Sequence, residues 1–172
     1  MTLCPFIDYF NHSPSSRACS VALTPRGYTV TTTTDITEGE EVFVTYGSHS
    51  GDFCLIEYGF VPEGNERDYV QVDAWMEFTA EQEERLQGMG YWGRYVLDRE
   101  GFCYRAQTAA RVVGEPGYLG RVLERVRGEA GERGAAVEMM EEGVVKEVLR
   151  TRWKQVKEIV DAVVEGGVVG DL

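Results

Sequence analysis

The stretch DITEGEEVFVTYG, residues 35–47, ends in a tyrosine that is followed by a glycine. Residues 37–40 predict a turn, and the alternating side chains of residues 41–46 predict a strand. A tyrosine that ends a strand before a glycine places its phenol where the backbone turns sharply or approaches another group closely. The pairing recurs at Tyr58-Gly59. Buried tyrosines at strand ends are usually core residues with a satisfied hydroxyl, so these pairs taken alone favour a packing role.

A second polar segment, DYFNHS at residues 8–13, lies near the start of the chain. Asn and Ser bias the backbone toward turns, so Asn11-His12 taken alone favours an ordinary turn over half of a binding site. Asn11-His12-Ser13 also matches the acceptor pattern for N-glycosylation. No basic region and apolar core of a secretory signal precede it, so we expect no glycosylation.

The composition limits the classes of protein to which the chain can belong. Its 172 residues, of which 43% are hydrophobic, suffice for one or two small domains with a real core. The net charge of −12 makes the chain a poor candidate for a phosphate-backbone binder, which needs a basic stripe, and we expect no direct contact with nucleic acid. An acidic chain suits basic partners, including lysine-rich protein segments.

The spacing of the cysteines bears on metal binding, and the hydropathy pattern bears on membrane association. The four cysteines form no C-x-x-C pair and their spacing is long and irregular, so we expect free thiols and no metal site. No apolar stretch approaches the roughly 18 residues of a membrane span. We expect a soluble intracellular protein in the cytoplasm or the nucleus, with no membrane contact.

The residue pattern of the sequence changes at about residue 75, from one typical of strands to one typical of helices. The part before it predicts strands at residues 19–23, 28–34 and 69–72, and the turn at residues 24–27 makes a hairpin of the first two. The part after it is mainly helical. The sequence therefore predicts an α+β protein, with a β-rich domain over residues 1–75 and a helical domain over residues 76–172.

Within the helical domain, Thr79 and Gln82 fit a capping box that opens a helix. Residues 98–101 predict the turn of a hairpin between two short strands. Pro116 fits the first turn of the next helix. The Gly- and Glu-rich residues 128–143 predict a loose connection between helices. The last helix is predicted from a stripe of apolar residues at helical spacing, which comprises Val145, Val148, Leu149, Val156, Ile159, Val160 and Val163.

The order of three motifs carries a family resemblance. D-Y-F-N-H-S, then D-I-x-x-G-E-E-V-F-V-x-Y-G, then E-Y-G-F-V resembles the C-terminal half of a SET domain over residues 4–65. The match is most similar to the branch of the Rubisco large-subunit lysine methyltransferases and their fungal relatives. It implies a partial SET domain, followed by a helical part that is similar in texture to the substrate-binding-like domain of that branch.

The resemblance implies an S-adenosylmethionine-dependent protein-lysine N-methyltransferase whose partner is a protein substrate with a target lysine. In such proteins the Asn-His pair contacts the cofactor, which implies that role for Asn11 and His12, with Asp8 in support. Tyr46 matches the catalytic tyrosine. The aromatic residues that line the lysine channel or the cofactor pocket correspond to Tyr58 and Phe60.

Two departures from the family pattern are visible. The G-x-G strand that opens a SET domain has no counterpart, so the resemblance implies a chain that lacks the N-terminal half of the domain. Gly51 stands where relatives usually carry asparagine, which implies a different shape for the loop between the tyrosines. Only Cys103 follows E-Y-G-F, so the zinc cluster of other SET branches is absent, which agrees with the Rubisco-type branch. The alternative is a catalytically inactive SET fragment that acts through its acidic helical part as a protein-interaction module.

Overall fold

The computed structural model describes residues 6–14 and 19–167 and confirms the α+β class. The chain divides into two compact units, Met1–Arg67 and Asp68–Leu172, which we call the first and second units. The boundary expected at residue 75 lies inside the second unit. The reason is that Val70 and Val72 are buried in the helical core.

The first unit is built from short elements. They are a 3₁₀ turn (Ile7–Tyr9), β1 (Asn11–His12), β2 (Ser20–Thr24), β3 (Gly27–Thr31), β4 (Phe43–Val44) and α1 (Gly51–Tyr58). The antiparallel β2–β3 hairpin forms as expected, with Thr24 opposite Gly27 across the turn. The predicted strand over residues 28–34 is shorter than expected, because β2 begins at Ser20 and its partner Thr31 is therefore the last paired residue of β3.

The predicted strand over residues 41–46 is reduced to two residues, Phe43–Val44. It pairs in parallel with β1, which itself offers only two residues. The backbone N–H of Ser13 donates to the Val44 carbonyl at 3.0 Å, and that of Cys19 donates to the Phe43 carbonyl at 2.7 Å. β4 therefore holds both β1 and the residue that precedes β2, Cys19.

Helix α1 between the two tyrosines was not anticipated from the sequence. Its N-cap is Ser50, whose Oγ accepts from the Phe53 N–H at 3.2 Å. Its C-cap is Gly59, in the left-handed conformation, whose N–H donates to the Leu55 carbonyl at 3.1 Å. The apolar residues follow no single stripe, since Cys54 is buried whereas Ile56 is 79% exposed. Periodicity therefore gave no signal for this helix.

The second unit combines a small sheet with four helices within the described residues. The elements are β5 (Val70–Gln71), a 3₁₀ turn (Asp73–Trp75), α2 (Ala80–Gly88), β6 (Val96–Asp98), β7 (Gly101–Phe102), α3 (Tyr104–Val113), α4 (Tyr118–Glu138) and α5 (Val144–Glu165). The strands form an antiparallel sheet in the order β5-β6-β7, which confirms the predicted hairpin around residues 98–101. The core contains Leu86, Leu97, Ile159 and Val160, all fully buried.

The expectation of a loose connection over residues 128–143 is wrong for residues 128–138, because α4 continues to Glu138, and only residues 139–143 connect α4 to α5. Ala130 and Val137 are buried along its length. Arg133 pairs with Glu129 at i,i+4 spacing, which supports the helix despite its glycines. The helical stripe and these pairs outweigh a glycine penalty of about 1 kcal/mol per position.

The helix ends differ from expectation in two places. Pro116 precedes α4 rather than lying in its first turn, since Gly117 is the N-cap. Val145, expected in the apolar stripe of α5, is 63% exposed because it lies in the first turn of the helix, whereas Val156 and Val163 are buried. No helix among residues 6–14 and 19–167 has the length and apolar character needed to cross a membrane.

A buried ion pair joins the start of the second unit to α5. The Nη1 atom of Arg152 lies 2.5 Å from the Oδ2 atom of Asp68, and their side chains are 3% and 2% exposed. Arg152 also donates from Nη2 to the Tyr69 carbonyl at 3.3 Å. The pair fixes the entry of the chain into the second unit against the middle of α5.

The predicted capping box of α2 is confirmed. The Thr79 hydroxyl accepts from the Gln82 N–H at 3.3 Å, and the Gln82 side chain accepts from the Thr79 N–H at 2.9 Å. We expect Thr79→Ala to lower the free energy of unfolding by about 1 kcal/mol, because it leaves a helix N–H without its acceptor. Urea denaturation measures this change. Glu84→Ala, on an exposed position of the same helix, is the control, and equal losses in both variants would contradict the assignment.

Candidate functional site

The pairing of β1 with β4 brings His12 and Tyr46 together. The Tyr46 backbone N–H donates to Nδ1 of His12 at 3.1 Å, and the ring centroids lie 5.2 Å apart. The Tyr46 hydroxyl donates to the carbonyl of Phe10 at 2.7 Å. Tyr46 is therefore fixed at its backbone by His12 of the partner strand β1 and at its phenol by Phe10, which lies just before that strand.

Four side chains form a ring cluster, defined here as His12, Tyr46, Tyr58 and Phe60. Ring centroids are 4.9 Å apart for Tyr46 and Tyr58, 5.9 Å for His12 and Phe60, and 6.2 Å for Tyr58 and Phe60. Tyr58 ends α1 and remains 48% exposed. The cluster is thus open to solvent on the Tyr58 side.

The side chains of the two other expected site residues point elsewhere. Successive residues of a strand face opposite sides, so Asn11 points away from the side that His12 occupies. Its Nδ2 donates to Glu41 Oε1 at 2.6 Å. Asp8 lies in the 3₁₀ turn Ile7–Tyr9 with an exposed side chain. The ring cluster therefore contains the predicted aromatic residues and His12, and Asn11 braces the acidic turn before β4.

His49 is a part of the site that the motifs did not reveal. Its Nε2 lies 3.0 Å from the Tyr46 carbonyl oxygen. The imidazole stacks on the Phe53 ring with centroids 4.1 Å apart and an interplanar angle of 18°. The only sequence signal was that His49 is the second of the two histidines in the chain and lies three residues after Tyr46.

The loop that carries His49 is held by two residues after α1. Asn65, which is buried, donates from Nδ2 to the His49 carbonyl at 2.7 Å. Its Oδ1 accepts from the Arg67 N–H at 3.2 Å, and Arg67 Nη1 donates to the Ser48 hydroxyl at 2.6 Å. These contacts fix the loop between Tyr46 and α1 from outside the ring cluster.

The site keeps its two central groups uncharged. Burial lowers the pKa of His12 below 6.5, the charge of a protonated His49 lowers it further, and a hydrogen bond to the Val44 backbone opposes the shift. Burial raises the pKa of Tyr46 above 10.0, and Tyr58 raises it further. At neutral pH the cluster therefore contains a neutral imidazole, whose Nδ1 accepts a hydrogen bond, and a phenol that retains its proton.

The lowered pKa of His12 predicts a pH dependence of stability. Protonation favours the unfolded chain, so the contribution of neutral His12 is complete above about pH 6.5 and is lost as the pH falls through the lowered folded-state pKa. We expect the melting temperature of the chain to decrease as the pH is lowered from 8 to 5. His12→Asn places a non-titrating amide oxygen near the Nδ1 position, and in this control the decline should weaken.

Other titratable or charged side chains near His12 also affect how the melting temperature depends on pH. They are His49, Tyr46 and Tyr58, which lie close to His12, and Arg67, which bonds to Ser48; Glu41 lies with Asn11 on the opposite side of β1. Persistence of the full decline in His12→Asn would assign it to one of these groups instead.

Gly47 is required by the position of His49. Its φ is +128°, and a Cβ added there would lie 2.7 Å from His49 Nε2. We expect Gly47→Ala to destabilise the first unit by about 1–3 kcal/mol through backbone strain and this overlap. Gly59→Ala is the matched control, since Gly59 also has a positive φ of +80° but open space around it. Urea denaturation with equal losses in both variants would exclude a specific role for His49.

A groove with an acidic rim lies beside β4. It has a volume of about 430 Å³ and is lined by Thr34, Asp35, Ile36, Glu40, Glu41 and Phe43. Its three carboxylates carry the same sign as the net charge of the chain. A cationic partner is the kind that such a rim attracts.

Comparisons with known proteins give related sequences at moderate identity. The chain is 35% identical over 114 residues to a ribosomal lysine N-methyltransferase of Schizosaccharomyces pombe, a match that covers 66% of this chain and 29% of the relative. It is 30% identical over 146 residues to ribosomal lysine N-methyltransferase 2 of Saccharomyces cerevisiae, which covers 73% of this chain and 29% of the relative. SET domain-containing protein 4 of Mus musculus is 30% identical over 121 residues, a match that covers 64% of this chain and 28% of the relative.

The chain thus spans less than a third of the length of these relatives. No family model matches the sequence. Two of these relatives are named ribosomal lysine N-methyltransferases and the third is named a SET domain-containing protein, in line with the family that the motif order in this chain indicates. On this evidence the chain belongs to the family of SET-domain methyltransferases.

Proposed function

We propose that this chain provides the catalytic tyrosine and part of the cofactor site of an S-adenosylmethionine-dependent protein-lysine N-methyltransferase. The observation that carries the proposal is the fixed position of Tyr46, whose N–H bonds to His12 Nδ1 and whose hydroxyl bonds to the Phe10 carbonyl. Two of the matched relatives bear the name of ribosomal lysine methyltransferase, which supports lysine as the acceptor. The first unit corresponds in this proposal to the C-terminal half of a SET domain.

The residues proposed to hold the cofactor are Asn11, His12, Asp8 and Phe60. S-adenosylmethionine, when bound, supplies an electrophilic methyl group on a positively charged sulfonium. The ring cluster fits such a cation, because aromatic faces attract positive charge and His12 is held neutral by its lowered pKa. Asn11 contributes through its backbone and through its bond to Glu41, since its side-chain amide is engaged there.

The remaining aromatic residues are proposed to receive the lysine. Methyl transfer needs a neutral amine, whereas a free lysine has a pKa of about 10.4. Desolvation between the rings of Tyr58 and Phe60 disfavours the ammonium form and accommodates the apolar stem of the side chain. The cluster therefore selects both the shape and the protonation state of the acceptor.

Tyr46 is proposed to orient the amine. Its phenol keeps its proton because its pKa is raised, and that proton is donated to the Phe10 carbonyl. The hydroxyl oxygen retains lone pairs that accept an N–H of the amine. Tyr46 thereby aims the nitrogen lone pair, and positioning of this kind supplies much of the rate in a displacement reaction.

The acidic groove supports a basic substrate segment. Asp35, Glu40 and Glu41 lie along a rim beside β4, the strand that leads into Tyr46. Opposite charge raises the rate of encounter with a lysine-rich segment. We propose that the helical second unit adds to substrate binding, as the similar domain does in this branch of the family.

The test is a thermal melt of the chain with and without S-adenosylmethionine, followed by transfer of a labelled methyl group to a lysine-rich ribosomal protein. Native-state binding at a hundredfold excess over the dissociation constant stabilises by about 2.7 kcal/mol, so we expect an upward shift of the melting temperature. S-adenosylhomocysteine, which lacks the transferable methyl group, is the control: it should shift the melt and yield no product. A melt unchanged by millimolar cofactor, together with no transfer, would overturn the proposal.

A further inference from the structure

The peptide groups on either side of the Tyr46 Cα are held by the two histidines of the chain. On one side, the Tyr46 N–H donates to His12 Nδ1 at 3.1 Å. On the other, the Tyr46 carbonyl lies 3.0 Å from His49 Nε2. A carbonyl oxygen only accepts, so His49 carries its proton on Nε2, whereas His12 must leave Nδ1 unprotonated. The two imidazoles therefore act in opposite senses, one as donor and one as acceptor.

We propose that His49 is a positioning residue for Tyr46, which it holds through the bond from Nε2 to the Tyr46 carbonyl. This inference rests on the proposed catalytic role of Tyr46 and extends it to a residue outside the family motifs quoted above. His49 itself does not touch the rings that would receive the substrate. It acts on the backbone from which the phenol extends.

His49 is fixed well enough for this role. Its imidazole stacks on Phe53, one face against the ring of the helix residue, with centroids 4.1 Å apart. Its own carbonyl accepts from the buried Asn65 at 2.7 Å. The lack of a side chain at Gly47 leaves the space that Nε2 occupies, since a Cβ there would approach it to 2.7 Å. The stack, the bond from Asn65 and the space left at Gly47 together fix the direction of the Nε2–H group.

The geometry connects this bond to the position of the phenol. With its N–H and its carbonyl both engaged, Tyr46 cannot rotate about φ or ψ without breaking a hydrogen bond. Its hydroxyl is then directed at the Phe10 carbonyl and its ring at Tyr58, 4.9 Å away. Misplacement of a catalytic group by about 1 Å costs on the order of a hundredfold in rate. Loss of the His49 bond should therefore affect the rate of transfer more than the binding of either ligand.

A matched pair of variants separates the hydrogen bond from simple packing. His49→Phe keeps an aromatic ring to stack on Phe53 and removes the donor. His49→Gln removes the ring and keeps an amide N–H near the Nε2 position. A residue that only fills space would tolerate phenylalanine better than glutamine, and a residue that positions Tyr46 through its donor would show the reverse order.

The experiment uses the whole 172-residue chain and two measurements. The first is methyl transfer, for which we expect kcat to fall by about tenfold or more in His49→Phe and by less than about threefold in His49→Gln, with KM for the cofactor little changed. The second is hydrogen exchange of the Tyr46 amide by NMR. We expect it to be faster in His49→Phe than in His49→Gln, and the amide of Gly59, which donates to the Leu55 carbonyl, reports that the first unit is intact.

The outcomes distinguish this inference from the proposed function. If the unaltered chain transfers no methyl group, the proposed function fails, and the exchange rates of the Tyr46 amide still decide whether His49 holds this residue. Equal kcat and equal exchange in both variants, or a greater loss in His49→Gln, would overturn the positioning role. The expected order in both measurements would establish it.

Discussion

Replacing Arg152 with methionine is expected to lower the free energy of unfolding of the second unit by about 3–5 kcal/mol. The guanidinium bonds to Asp68 at 2.5 Å and to the Tyr69 carbonyl at 3.3 Å, and both charged side chains are buried. The substitution leaves the Asp68 carboxylate without its cation in a site from which water is excluded. Urea denaturation followed by circular dichroism measures the loss, because most of the helical signal comes from this unit.

Two further variants test the cause of this loss. Arg150→Met removes a partly exposed arginine that pairs with Glu138 at 2.7 Å, and we expect a much smaller loss because solvent screens this surface pair. The double variant with Arg152→Met and Asp68→Leu removes both buried charges, and it should recover part of the stability lost in the single variant. The single variant Asp68→Leu completes the comparison. A double variant whose loss equals the sum of the losses in Arg152→Met and Asp68→Leu would show that the ion pair is not the source of the effect.

Replacing Tyr46 with phenylalanine is expected to reduce methyl transfer by about a hundredfold or more and to leave the affinity for S-adenosylmethionine within about threefold. The variant keeps the ring that lies against Tyr58 and His12 and removes only the hydroxyl. Without that oxygen the amine loses the acceptor that aims its lone pair. Transfer of a labelled methyl group and calorimetric titration of the cofactor measure the two quantities.

Tyr28→Phe is the matched control, since it removes a hydroxyl from an exposed residue of β3 and should leave transfer unchanged. Removal of the Tyr46 hydroxyl also breaks the bond to the Phe10 carbonyl, at a cost in stability of about 0.5–1.5 kcal/mol. Assays well below the melting temperature separate this cost from the loss of rate. Transfer by Tyr46→Phe at the rate of the unaltered chain would rule out a catalytic hydroxyl.

The residues of the ring cluster could be predicted from the sequence, whereas the contacts of His49 could not. His12, Tyr46, Tyr58 and Phe60 occur in motifs whose order is characteristic, and the structure brings their side chains together. His49 lies in the short loop between Tyr46 and α1. Its role depends on the stack with Phe53 and on the bond from Asn65, sixteen residues away. Contacts of this kind arise from the path of the loop, which local spacing does not encode.

The fold shows the same division between local and tertiary information. The capping box at Thr79 and the turn at residues 98–101 are local chemistry, and both were predicted correctly. Helix α1 was not foreseen, because it lacks an apolar stripe and is defined by its caps, Ser50 and Gly59. The glycines within residues 128–143 predict breaks, yet burial of Ala130 and Val137 keeps α4 continuous to Glu138.

The pairing of β1 with β4 has a consequence for the order of folding. Tyr46 and His12 are separated by 34 positions in the chain, so their contact requires closure of a long loop around only a few backbone bonds. Helices α4 and α5 are joined by a short turn and associate through local contacts, which form rapidly. The helical hairpin is therefore expected to form early and the ring cluster late. Newly synthesised chains would acquire their helices before they acquire a competent site.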